Sequence, residues 1–182
     1  LQETVSEVIV EKSVQSVSTD ISLDIEAYSP DSYIPTQADR INFYQQLASA
    51  KTAEEMAAVK KQVEDIYGVP PRQVENLFAV AELKLLANKA GVSVVSVKAG
   101  KGELIFANRD KMMNKKVFDA LSDEGDRARV MSERYGVEFS SPDYLQKSRL
   151  LSSIKEFFIH HFIAIGENQF AFARFYGEYA YA

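Results

Sequence analysis

The chain has no cysteine and no tryptophan, and only two histidines, five prolines and eight glycines in 182 residues. The lack of cysteine excludes disulfides, thiolate metal sites and cysteine nucleophiles together; it fits a reducing compartment, and a cytoplasmic protein is expected. His160 and His161 are the only imidazoles, so a catalytic centre would have to rest on carboxylates, lysines or hydroxyls. Being adjacent, the two would point about 100 degrees apart on a helix, and no joint metal site is expected of them. The pair Gly100 and Gly102 lacks the third glycine and the helix start of a dinucleotide loop, and no GxxxxGK[ST] sequence occurs. Long apolar runs are also missing: Gly166, Glu167 and Asn168 break the last one well short of the roughly 20 residues a spanning helix needs. The N-terminal stretch is acidic, without the basic flank of a signal peptide. No membrane association, cofactor, metal or catalytic residue is therefore expected, and the chain is expected not to be an enzyme.

What is present is a folding sequence. A hydrophobic content of 46% with 26% charged residues suits a globular protein able to bury a core. The formal charge of -5 argues against general attraction to phosphate backbones, so a nucleic-acid surface would have to be a local basic patch.

Along the chain, Leu1 to Lys12 has Leu1, Val5, Val8 and Ile9 at helical spacing with no cap before it, and reads as the tail of an upstream helix in a fragment of a longer protein. Ser18 to Ala27 alternates, with Ile21, Leu23 and Ile25 on one side, as a half-buried strand does. Two capped helices follow. Thr36 with Asp39 and Thr52 with Glu55 have the capping-box spacing, and Gly68, Pro70 and Pro71 stop the second helix. The first is expected to bury Ile41, Tyr44 and Leu47, and the second Met56, Val59, Val63 and Ile66. A third helix is predicted from about Pro71 to Ala90, ending at Gly91. Val92 to Val97 and Glu103 to Ala107 read as a hairpin whose glycines supply positive φ. A helix from Arg109 to Leu121, a second hairpin turning at Arg134-Tyr135-Gly136, and a helix from Ser141 through Phe158 complete the pattern, with a helix through Arg134 as the alternative to that hairpin. The fold expected is α+β, several helices packed with a small, mainly antiparallel sheet: residues 1-17 linker, 18-160 one domain, 161-182 an aromatic extension.

Two charged surfaces stand out. Glu54, Glu55, Lys60, Lys61, Glu64 and Asp65 fall largely off the apolar stripe of the second helix and give it a charged outer face, on which Glu54, Glu55, Gln62, Glu64 and Asp65 are the candidate partner-binding residues. Lys98, Lys101, Arg109, Lys111, Lys115 and Lys116 form the most basic region; Glu103, Asp110 and Asp119 dilute it, and it is the candidate surface should the chain bind nucleic acid.

The segment DSYIPTQADRINFYQQLASAKTAEEMAAVKKQVEDIYGVPPRQVENL resembles the C-terminal domain of bacterial transcription-repair coupling factors (Mfd). The resemblance is carried by Tyr33-Ile34-Pro35, Arg40, Tyr44, Ala48-Ser49-Ala50-Lys51 and Asp65-Ile66-Tyr67-Gly68-Val69-Pro70-Pro71. It continues through Asn76, Leu77, Ala81, Leu83, Lys84 and Gly91, and fades after about Phe106. It departs at Gln62, where the family often has an acid, and at Ile66, where it has arginine. The resemblance implies a regulatory module of an ATP-dependent DNA translocase that displaces stalled RNA polymerase and recruits UvrA for excision repair. This module would fold back on a UvrB-like module of the same chain and mask its UvrA-binding surface. Asp65 is the residue the resemblance carries over to that contact. No direct nucleic-acid partner is implied.

Overall fold

The computed structural model describes residues 18–163. The upstream helix tail expected at 1–17, and the part of the expected 161–182 aromatic extension that follows Ile163, lie outside them. The elements run β1 (Asp20–Ser22), α1 (Gln37–Ser49), α2 (Ala53–Tyr67), α3 (Arg72–Lys89), β2 (Val92–Lys98), β3 (Lys101–Phe106), α4 (Arg109–Met112), α5 (Lys115–Glu124), β4 (Ala128–Val130), β5 (Gly136–Ser140) and α6 (Lys147–Phe162), with single 3-10 turns before β4 and before α6. The five strands form one sheet ordered β1-β2-β3-β5-β4. Only β1 with β2 is parallel; the other pairs are antiparallel. The α+β architecture is thus as the periodicity implies.

Local chemistry sets the helix starts. Thr36 accepts the Asp39 N–H and Thr52 the Glu55 N–H, each satisfying a donor that an open helix end leaves unpaired. The reciprocal half of the second box lands one residue early, the Glu55 carboxylate accepting from the Lys51 N–H rather than from Thr52. The expected helix 109–121 is instead two, because Asn114 starts a new one by accepting the Val117 N–H after the chain leaves α4 at Met113.

The strand expected over 18–27 pairs only at Asp20–Ser22, although Leu23 and Ile25 still pack, half-buried, on the core. The first hairpin turns on Ala99 and Gly100, both with positive φ, and not on Gly102. Gly102 serves a different purpose: the Tyr144 ring lies over it, 3.1 Å from where a Cβ would stand. The second hairpin forms as expected, β4 against β5.

Two apolar clusters build the interior. One, among α1, α2 and the first half of α3, holds Tyr33, Ile34, Phe43, Leu47, Met56, Val63, Val74 and Phe78. The other, between the sheet and helices α3, α5 and α6, holds Leu83, Leu86, Val95, Leu104, Val117, Phe139, Ile154 and Phe158. Helix α3 belongs to both, Val74 and Phe78 facing the first and Leu83 and Leu86 the second. Beside that change of partner, Lys155 of α6 reaches Glu82 at 2.7 Å, both side chains buried. Helix α6 passes residue 160 and buries Phe162 in the second cluster, so the packed unit extends beyond the expected boundary.

Two inner faces differ from those expected. In α1 the buried pair is Phe43 and Leu47, one turn apart, while Ile41 is half exposed. Tyr44 lies at the rim because its hydroxyl accepts the Ser29 N–H at 2.8 Å. In α2 Ile66 is 63% exposed. Ten residues beyond Met56, it has drifted about 80 degrees around the helix from the buried line.

Candidate functional site

The outer side of α2 follows from the burial of Met56 and Val63 on its inner side. Glu54, Gln62 and Asp65 are exposed opposite them, as is Glu55, though the latter is folded back on the cap. Glu64 lies to one side, half-buried, with Lys60 Nζ at 3.6 Å. The five residues are therefore not one patch. Glu54 and Asp65 stand at opposite ends of the helix, about 16 Å apart along its axis.

Asp65 is the distinctive member. It sits in the last turn, where unpaired carbonyls make the helix end negative and a carboxylate is unfavourable; α2 has no basic residue there. Asp65 makes no hydrogen bond or ion pair among the described residues. Beyond it the helix stops at Gly68, whose φ of 85° and ψ of -162° are open essentially to glycine alone. The Tyr33 hydroxyl donates to the Gly68 carbonyl at 2.8 Å, and the Tyr33 and Tyr67 rings lie 5.8 Å apart. Burial raises the Tyr33 hydroxyl above its usual range, with the charges of Glu64 and Tyr67 adding to it. This pinned turn carries Val69, 89% exposed, with Pro70 buried immediately after it. Asp65 is thus followed along a braced turn by two exposed branched aliphatics, Ile66 and Val69, a combination of charge and apolar area of the kind that protein-binding surfaces use.

Asp65 and Gln62 are exposed as their place off the apolar stripe implies, Ile66 is on the outer side rather than the inner one expected, and Val69 was not anticipated from the sequence. The available signal was the position of Val69 between a helix-stopping glycine and a proline, where no regular element can turn a valine inward.

The basic region is divided. Lys98 and Lys101 flank the turn of the first hairpin, while Arg109 to Lys116 follow the far end of β3, roughly 17 Å away by strand length. Lys101 faces Glu138 at 3.7 Å, Lys115 bonds Asp119 at 2.6 Å, and Lys116 donates to the Phe162 carbonyl at 3.0 Å. Half of the proposed phosphate contacts are thus engaged within the fold, and the remainder do not form a single track.

The fold falls within a class with solved members. The crystal structure of the C-terminal domain of a transcription-repair coupling factor superposes with a TM-score of 0.61, covering 80% of this chain and 97% of that one at 21% identity. In sequence, transcription-repair-coupling factors are similar: that of Escherichia coli K12 is 30% identical over 95 residues, that of Bacillus subtilis 168 is 32% over 81, and that of Staphylococcus epidermidis RP62A is 30% over 109. These stretches are 52%, 44% and 59% of this chain but 8%, 7% and 9% of those proteins, so the chain spans under a tenth of their length. The model of the TRCF domain matches residues 23–117, just over half of the chain, and the chain belongs to that family. No described helix is long and apolar enough to cross a membrane.

Proposed function

We propose that this TRCF domain is an autoinhibitory protein-interaction module within a DNA translocase that displaces stalled RNA polymerase. In this reading the patch of Asp65, Ile66 and Val69, with Gln62 at its edge, docks on the UvrB-like module of the same protein and covers the surface that UvrA would use. The observation that carries the reading is the uncompensated carboxylate in the last turn of α2, beside two exposed aliphatics. Left in solvent, that arrangement weakens the helix, whereas a basic partner would stabilise it. Glu54, at the other end of the helix, adds only to the rim, and Glu64 serves the fold through Lys60. A latch of this kind must open, so a small patch with a charged centre suits it better than a broad apolar surface. The chain acts here as a lid without catalytic chemistry of its own.

The test is Asp65→Lys with Val69→Ser in the full-length protein. UvrA binding measured without polymerase should rise at least tenfold over the resting level, with the melting temperature of the isolated domain not lowered, since lysine suits the last turn of the helix better than a carboxylate does. UvrA binding that stays at rest in the double variant would show that this surface is not the latch.

A further inference from the structure

A second constellation lies outside the stretch matched by the family model, at the junction of α5 with the end of α6. Asp123, His160 and His161 each present one ligand atom, and these atoms all lie within 4.8 Å of one another. Adjacent residues diverge at the backbone, but the imidazoles are long enough to come back together, their ring centres 4.6 Å apart. The His161 side chain is only 3% exposed, and both of its nitrogens face carboxylates: Nε2 is 3.0 Å from Glu124 Oε1, and Nδ1 is 3.9 Å from Asp123 Oδ2.

A neutral imidazole has a single N–H. With that proton on Nε2, donated to Glu124, the lone pair of Nδ1 is left on the side of the Asp123 carboxylate. A cation between them, whether a second ring proton or a metal ion, removes the repulsion of two lone-pair donors so placed. A carboxylate holding the far N–H of a histidine is also the usual surrounding of a metal-bound imidazole, since it fixes the ring and makes the near nitrogen more basic. Glu124 is suited to that supporting part because its second oxygen is held by Arg127 at 3.0 Å. The last turn of α6 adds the negative end of a helix dipole, which favours a positive charge there. The site opens on a cleft of about 650 Å³ lined by Glu124, Arg127, Tyr144, Glu156, His160 and His161, giving an ion access from solvent.

We propose that Asp123, His160 and His161 bind a divalent transition metal ion of the zinc type, with Glu124 as a positioning residue and water in the fourth place. Two imidazoles and one carboxylate select zinc, cobalt or nickel over magnesium and calcium, which prefer all-oxygen sites. Bonds of about 2.0–2.1 Å set tetrahedral ligands about 3.4 Å apart. Closure from the present spacing therefore requires Asp123 and His160, both exposed, to rotate toward the fixed His161. The ion would tie the end of α5 to the last turn of α6.

The experiment is a calorimetric titration of the untagged 182-residue chain, stripped with chelator, with zinc chloride. One ion should bind per chain, and Asp123→Asn and His160→Gln should each weaken binding at least tenfold while the metal-free melting temperature stays put. Glu124→Gln, which keeps a hydrogen-bonding group opposite His161, should weaken binding less than either ligand variant. A hundredfold excess of magnesium should leave the zinc isotherm unchanged. Absence of zinc binding, undiminished binding by either ligand variant, or displacement by magnesium would overturn the assignment.

Discussion

Tyr144 illustrates how one side chain can carry a pH response. It is buried under the first hairpin with its ring on Gly102, and burial, followed by the negative charge of Glu124, pushes its hydroxyl up to about 12, with Arg127 opposing. A group whose folded-state pKa is raised contributes stability that is intact below its unfolded value, here about 10, and lost as pH climbs through the folded one. Between about pH 10 and 12 the protein should lose about 2–3 kcal/mol from this residue alone. Tyr144→Phe removes the ionisation while keeping the ring. The difference between the urea stabilities of the two proteins should therefore open across that interval and be small at pH 7; a difference that is flat with pH would show that the phenol does not resist ionisation in the fold.

At the scale of elements, the first hairpin shows where local sequence fell short of ideal. Pairing of Lys98 with Lys101 leaves a two-residue turn in which Ala99 takes a φ of 52°, a conformation that disfavours a Cβ. Ala99→Asn, completing the Asn-Gly pair that such turns prefer, should raise stability by about 0.5–1 kcal/mol, read as a higher urea midpoint with an unchanged slope. Features of this range were the ones legible in the sequence: the threonine caps, the stop at Gly68 and the two hairpins depend on residues within a few positions of one another. The inner faces of α1 and α2 were less legible. Phe43 and Leu47 win the core over Ile41 and Tyr44 because Phe78, distant in sequence, packs edge-on against Phe43 at 5.5 Å between ring centres. Of the proposed docking patch, Asp65 was readable as an exposed acid, but the exposure of Ile66 and Val69 depends on where the chain goes after Gly68. The convergence of Asp123 with the two histidines depends on the packing of α5 against α6, which no spacing reveals.

At the scale of the whole molecule, the two cores share α3, and the Glu82–Lys155 pair lies where one gives way to the other. Burial raises the Glu82 carboxyl above the usual carboxylate range, with Lys155 and then Lys60 drawing it back. Glu82→Ala would take from the buried Lys155 its carboxylate at 2.7 Å and should cost a few kcal/mol in urea unfolding, whereas replacing both residues by Met should recover most of that loss. Equal losses in the single and double variants would mean that the pair is not the source of the cost. The sheet bears on association in a different way. Its outer strands, β1 and β4, are three residues each, so among the described residues neither margin offers enough free backbone to template an added strand. The described part of the sheet is thereby guarded against edge-to-edge pairing, and a partner docking on it would have to recognise side chains rather than main chain, which makes recognition there open to tuning one residue at a time.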